Sequence, residues 1–271
     1  MLVQRVVTAL ILLPLLLALV WYAPTPWLYA VLALVGMLMA WEWTGLMSWA
    51  ERGRRWAYTA VCGLLLALAW FVPGRESLLP WLLGVAVLWW LFAISLFPRF
   101  PDNIGKQQTS GLPMALLGLL LTVSTLLALA ALHAMGPLKL LFFLFIVFAA
   151  DTGAYLAGRN FGKRKLAPNI SPGKTVEGAV GGLLLTAAWA MTAGLYVFAP
   201  SGNQVWLLLL LTVVVAAISI VGDLTESMFK RIAGIKDSGN ILPGHGGILD
   251  RVDSILAGAP VMVLGLYLTG L

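Results

Sequence analysis

The 271-residue chain is 61% hydrophobic and only 10% charged, with 17 Lys and Arg against 11 Asp and Glu, and its mean hydropathy is +0.96. That balance excludes an ordinary water-soluble domain and points to an all-α polytopic integral membrane protein. The single cysteine, Cys62, has no partner for an intrachain disulfide and reads as a small apolar residue within an apolar run.

Crossing the hydrocarbon core takes about 20 apolar residues. Nine such spans are predicted: 5–22, 27–46, 56–73, 78–97, 112–134, 138–158, 176–199, 204–226 and 251–270. The first has Arg5 ahead of an apolar run, as a signal peptide would, but the following APTPW lacks a small-x-small cleavage site and the segment is read as a retained span. Trp21, Trp27, Trp43, Trp56, Trp81 and Trp206 fall near predicted ends, as expected of indole rings at the headgroup level. A polar break at 98–111, with Pro98, Pro101 and Gly111, divides an N-terminal four-span module (1–105) from a C-terminal five-span catalytic module (106–271). Glu42, near the end of the second span, is assigned a structural role.

Of the 17 basic residues, 15 fall in the N-terminal tail and in the alternate loops that share its side, leaving Arg75 and Lys139 opposite. Short Lys- and Arg-rich loops stay in the cytoplasm, so the N-terminus is expected inside and the C-terminus outside. Asp151, Glu177, Asp223, Glu226, Asp250 and Asp253 then all lie at the cytoplasmic boundary. Ionisable groups near membrane depth usually line an aqueous cavity or pair with something.

Between spans six and seven runs ADTGAYLAGRNFGKRKLAPNISPGKTVEG. Gly173-Lys174-Thr175 has the ending of a phosphate-binding P-loop, but Pro168 stands where that motif needs glycine, and the reading is rejected. Lys163, Arg164 and Lys165 read as a basic patch facing anionic headgroups. Gly178, Gly181 and Gly182 read as a face for close helix packing. Asn169-Ile170-Ser171 fits a glycosylation sequon but falls on the cytoplasmic side.

The stretch Ser227 to Asp253, SMFKRIAGIKDSGNILPGHGGILDRVD, is the most informative. Pro243, Gly244, Gly246 and Gly247 around His245 are incompatible with a regular helix there. Such a loop can offer successive backbone N–H groups to an anion, with Lys and Arg supplying charge and carboxylates a divalent metal. Asp250 and Asp253, three apart, would share one face of a helix, as would Asp223 and Glu226. Plain structural readings compete: Asp250 as an N-cap with Asp253 at N3, Glu226 paired with Lys230, and His245 as a turn residue.

The same run resembles the signature of the phosphatidate cytidylyltransferase family, the CDP-diacylglycerol synthases. Its residues follow that pattern in order: Ser227, Lys230, Arg231, Lys236, Asp237, Pro243, Gly244, His245, Gly246, Gly247, Asp250, Arg251 and Asp253. ADTGAY and the Ser171-Pro172-x-Lys174-Thr175 pattern resemble a second region of the family. The resemblance implies transfer of the cytidylyl group of CTP to phosphatidate, giving CDP-diacylglycerol and pyrophosphate, at a bacterial-type inner membrane with the site facing the cytoplasm. It implies catalytic roles for Asp223, Lys230, Arg231, His245, Asp250, Arg251 and Asp253. It implies substrate or nucleotide contacts by Asp151, Ser171, Lys174, Thr175, Lys236, Asp237, Gly246 and Gly247. Mg²⁺ on Asp223, Asp250 and Asp253, with Glu226 a weaker ligand, fits the hard-cation preference for carboxylate oxygens, and more than one ion is expected, the second not necessarily magnesium. Partners would be CTP, phosphatidate and membrane lipid, with no nucleic acid, and the expected assembly is a homodimer. A CTP-dependent polyprenol kinase and a transporter of anionic lipid or nucleotide remain the alternative classes.

Overall fold

The computed structural model describes residues 2–102, 109–241, 244 and 246–271. Among these, helices dominate: α1 (Leu2–Tyr22), α2 (Thr25–Leu46), α3 (Arg52–Phe71), α4 (Arg75–Ile94), α5 (Leu112–Ala134), α6 (Pro137–Phe161), α7 (Val176–Phe198), α8 (Gln204–Ala233) and α9 (Leu249–Thr269). Proline opens the first turn of α2, α5 and α6, where its missing N–H has no intrahelical role. At its far end α8 stops on Gly234, whose φ of 73° is left-handed, and the chain turns back as Ile235 N donates to Lys230 O at 3.0 Å.

The protein is all-α and polytopic, as its composition requires. Seven helical stretches among the described residues are long and apolar enough to cross a bilayer: Thr25–Leu46, Arg75–Arg99, Leu112–Ala134, Pro137–Phe161, Val176–Phe198, Gln204–Ala233 and Leu249–Thr269. α1 contributes a shorter apolar stretch, Leu10–Tyr22, and α3 opens on Arg52, Arg54 and Arg55. The count of nine spans and the orientation therefore rest on hydropathy and charge patterning alone.

One continuous apolar core joins the N-terminal and C-terminal helices. Trp43 of α2 and Tyr58 of α3 donate to the carbonyls of Met114 and Ala115 in the first turn of α5, at 3.0 and 2.9 Å. His133 of α5 joins α1 and α2, its ring nitrogens lying 2.9 Å from Val20 O and 2.8 Å from Thr25 Oγ1. The 105/106 boundary predicted from the polar break lies outside the described residues. Trp21, Trp27, Trp56, Trp81 and Trp206 are exposed, as a headgroup belt requires, whereas Trp43 is a buried core ring edge-on to Phe229.

Two helix pairs carry the site. α6 lies along α7, and Gly182 permits it: a β-carbon there would stand 2.6 Å from Ala150 O. α8 lies along α9, and Gly222 permits a close approach, since any β-carbon there would overlap the carbonyl of Asp253. Between α6 and α7 the chain forms an antiparallel hairpin, β1 (Lys165–Ala167) and β2 (Ser171–Thr175), absent from the all-helical expectation. Its tip is anchored by Asn169 Nδ2 donating to Phe100 O at 3.1 Å, by Arg231 Nε donating to Ile170 O at 3.3 Å, and by burial of Ile170.

Candidate active site

The hairpin converts the end of the α6/α7 pair into a walled cavity of about 370 Å³. α6 supplies Asp151, Tyr155 and Arg159, β2 supplies Lys174 and Thr175, and α8 and α9 close the far wall with Asp223 and Ser254. Lys174 points across it to Asp223, Nζ to Oδ2 at 2.5 Å, with both side chains about a quarter exposed (27% and 28%). Asp151 senses Asp223 and Lys174 electrostatically, and Asp253 senses Asp223, Glu226 and Lys174. Asp151, Asp223 and Lys174 thus line one cavity where α6, α8 and β2 meet, with Asp253 of α9 near enough to feel the charges of Asp223 and Lys174. Ser227, one turn beyond Asp223, donates to its other oxygen at 3.3 Å.

Glycine at position 222 has a direct consequence here. It lets α9 approach α8 until Asp253 stands beside the residue that follows, Asp223. Two like charges at that range repel unless a cation or proton intervenes, and Lys174 is the cation the protein supplies.

Asp250 behaves differently from Asp253, although the two were predicted to share a face. One of its oxygens receives Lys230 Nζ at 2.7 Å, and the other receives the N–H groups of Gly247 and Ser238 at 2.8 and 2.9 Å and lies 3.0 Å from the Ser238 hydroxyl. The N-cap of α9 is Ile248, so Asp250 is not the cap that the structural reading placed there; it sits inside the first turn and reaches back to the amide of Gly247 ahead of the helix. Lys230 also contacts Glu226 at 2.5 Å, one turn earlier on α8, so a single ammonium bridges two carboxylates. Glu226 is 3% exposed and Lys230 14%. Lys230 and Arg231 lie on α8 itself, because that helix runs seven residues past the predicted end at 226.

The other predicted positions divide by location. Thr175 caps α7, its hydroxyl oxygen accepting from Gly178 N at 3.1 Å, and its wall position in the cavity is a by-product of that cap. Ser171 opens β2 opposite Ala167, and Arg231 is tied to the neighbouring Ile170 carbonyl. Lys236, Asp237 and Arg251 are exposed around the loop between α8 and α9. Gly246 adopts φ 85°, and Gly247 is the amide donor to Asp250. His245 lies outside the described residues. Glu177 is committed to the turn after α6, accepting the N–H groups of Lys163 and Arg164 at 3.0 and 3.1 Å and pairing with the Arg164 side chain at 2.9 Å.

Three residues are given no role by the motifs, although all three lie inside the quoted stretches. Tyr155 and Arg159 line the cavity, hydrogen-bonded to each other at 3.2 Å; their spacing of four on a helix was a signal available in the sequence. Ser238, inside the Ser227–Asp253 run at a position its pattern leaves open, gives both its N–H and its hydroxyl to Asp250.

Among the described residues no three His, Cys, Asp or Glu side chains gather closely enough to hold a metal ion on their own. Mg²⁺ characteristically takes one or two carboxylates and completes its shell with water and substrate phosphate. Asp223, whose partner Lys174 is partly exposed and placed to turn to a phosphate, and Asp253 fit that role better than Asp250 and Glu226, which are buried against Lys230.

Comparison with known proteins agrees along the whole chain. Residues 3–269 match the family described as the Cytidylyltransferase family. A phosphatidate cytidylyltransferase of Pseudomonas aeruginosa is 40% identical over 272 residues, covering 100% of this chain and 98% of the relative. One from Haemophilus influenzae is 37% identical, covering 96% of each, and one from Brucella suis biovar 1 is 34% identical, covering 96% of this chain and 91% of the relative. With a match of this extent, and with the residues of both motif blocks assembled at one end of the helix pairs, the chain belongs to the cytidylyltransferase family.

Proposed function

We propose that the protein transfers the cytidylyl group of CTP to phosphatidate, releasing pyrophosphate and leaving CDP-diacylglycerol in the membrane. The observation that carries this reading is the cavity bounded by α6, β2 and α8, which brings Lys174, Asp223 and Asp151 together at the charged end of long apolar helices. A lipid phosphate and a soluble nucleotide can meet only at such a boundary. An oxygen of the phosphatidate phosphate attacks the α-phosphorus of CTP, a P–O bond forms there, and the bond from that phosphorus to the β-phosphate oxygen breaks. The phosphatidate is already anionic and needs no base, so the work lies in positioning and in neutralising charge.

Lys174 is the cation placed to exchange its carboxylate partner for a phosphate oxygen, and Arg159 stands on the opposite wall for a second one. Asp223 and Asp253 would hold Mg²⁺, which when bound neutralises charge on the substrate phosphates. Lys230 supports the site from outside, fixing Asp250 and so the first turn of α9. A cytoplasmic site in an inner membrane is supported by the distribution of basic residues and by the bacterial relatives, and a homodimer by family resemblance alone.

Label placement tests the reaction. Purified protein given phosphatidate, Mg²⁺ and CTP labelled at the α-phosphate should yield a labelled CDP-lipid, while γ-label should leave as pyrophosphate. Recovery of γ-label in the lipid would instead identify a kinase, and transfer of neither would remove the catalytic reading. For orientation, single cysteines replacing Ser201 and Asn240, both exposed, in a Cys62→Ala background should label from opposite sides, Asn240→Cys from the cytoplasm. Labelling of both from one side would overturn the arrangement.

A further inference from the structure

The carboxylate that holds the first turn of α9 from outside comes from the far end of the chain. Glu42, near the end of α2, is 2% exposed. Its Oε1 accepts the N–H of Ile248 at 3.0 Å, its Oε2 accepts the N–H of Leu249 at 2.8 Å, and the Ser238 hydroxyl stands 3.2 Å from Oε2. The contacts span some two hundred residues of sequence, the Ile248 bond reaching across 206 positions and the Leu249 bond across 207. The chain is shaped for them, since a β-carbon at Gly247 would stand 2.6 Å from Glu42 Oε2.

Two amides at the start of α9 would otherwise be orphan donors in a buried place, and a helix N-terminus carries partial positive charge. A carboxylate answers both needs at once, which explains why a buried acid here requires no Lys or Arg. The Ser238 hydroxyl lies 3.0 Å from Asp250 and 3.2 Å from Glu42, so its single proton can serve either. A continuous polar chain therefore runs Glu226, Lys230, Asp250, Ser238, Glu42, from α8 through α9 and its preceding loop to α2. Asp253 lies one turn beyond the amides that Glu42 grips. Any slip or rotation of that first turn moves Asp253 with respect to Asp223.

We infer that Glu42 is a positioning residue for the transfer reaction: it fixes the height and rotation of α9 and thereby the Asp223 to Asp253 alignment. This rests on the proposed function for the reaction being positioned, though not for the contact itself. The inference gives the N-terminal helices a part in catalysis that neither motif block contains.

Glutamine at position 42 keeps the shape and one acceptor oxygen but turns an NH₂ toward the second amide. In Glu42→Gln the amides of 247–250 should lose protection in hydrogen exchange, with the rest of α9 and α5 unchanged. kcat should fall about 10- to 100-fold, as when partners behind a metal ligand are removed, with KM for CTP shifting less than about 3-fold. Tyr29→Phe, which removes another buried hydrogen bond, Tyr29 OH to Leu66 O at 2.7 Å in the N-terminal helices, serves as the control for lost stability alone and should keep its kcat per folded molecule. If Glu42→Gln does not accumulate, Glu42→Asp, which draws the carboxylate back by one methylene, should fold and show the same kcat loss with a steady KM. Full kcat in either variant, or a loss no larger than that of Tyr29→Phe, overturns the inference. Unchanged exchange at 247–250 in the folded variant overturns it as well. An inactive unsubstituted protein would instead count against the proposed function, while the exchange result would still report on the contact.

Discussion

Asp253→Asn is expected to lower turnover by about 10²- to 10³-fold, the size seen when one group aimed at developing charge is removed from a preorganised site. The substitution is nearly isosteric, and the side-chain oxygen that accepts the neighbouring Ser254 N–H at 2.6 Å can be retained. What disappears is the capacity to carry a negative charge beside Asp223, Glu226 and Lys174 when a cation is bound. Because that charge lies among two other carboxylates, its loss relieves repulsion, and the melting temperature in detergent should hold or rise. Activity and melting measured on one preparation check both halves. Turnover within a few-fold of the unsubstituted protein would remove Asp253 from the site.

The second large effect is expected at Lys230, on stability first and activity second. Lys230→Ala leaves Glu226 and Asp250 without their shared cation, at 3% and 7% side-chain exposure. Removing one partner of a buried ion pair typically costs about 3–5 kcal/mol because the remaining charge is stranded. The variant should therefore accumulate poorly or melt far lower, and adding Glu226→Gln should recover part of the loss by deleting one stranded charge. A Lys230→Ala protein that melts like the unsubstituted one would show that the bridge contributes nothing. Asp250→Asn should fall between the two cases, since Asp250 both receives Lys230 and ties the Gly247 amide to the first turn of α9.

Hydropathy located the helices because apolar length is a local property, and each predicted span overlaps one observed helix. The end of α8 was misplaced for an instructive reason. Lys230 and Arg231 fall outside an apolar span by polarity, yet the Glu226–Lys230 pairing that the plain structural reading allowed keeps the segment helical to Ala233. The hairpin was invisible because its strands are three and five residues long and carry no alternation strong enough to compete with the surrounding glycines and prolines. Trp43 was read as a belt residue from its place near a span end, whereas its ring is held by Met114 O in the core.

The site was half legible. Residue types and spacing singled out Asp223, Asp250 and Asp253, but a common helix face says nothing about what stands opposite it. Asp250 meets Lys230 and the Gly247 and Ser238 amides, while Asp253 lies on the α8 side near Asp223, and that division depends on the approach of α8 to α9 at Gly222. Glu42 carries no local sign of its role, because its partners are two backbone amides more than two hundred positions away.

The length of α8 sets a depth gauge for the chemistry. From Val205 to Gly222 the helix holds no charged side chain, and those residues rise about 27 Å at roughly 1.5 Å each. The hydrocarbon layer is about 30 Å thick. Asp223 is the next residue along, so an α8 that spans the layer upright would bring it to the level of the glycerol esters and phosphates of one leaflet. A phosphatidate molecule can bring its phosphate to that carboxylate by lateral diffusion alone, with both acyl tails still dissolved among their neighbours.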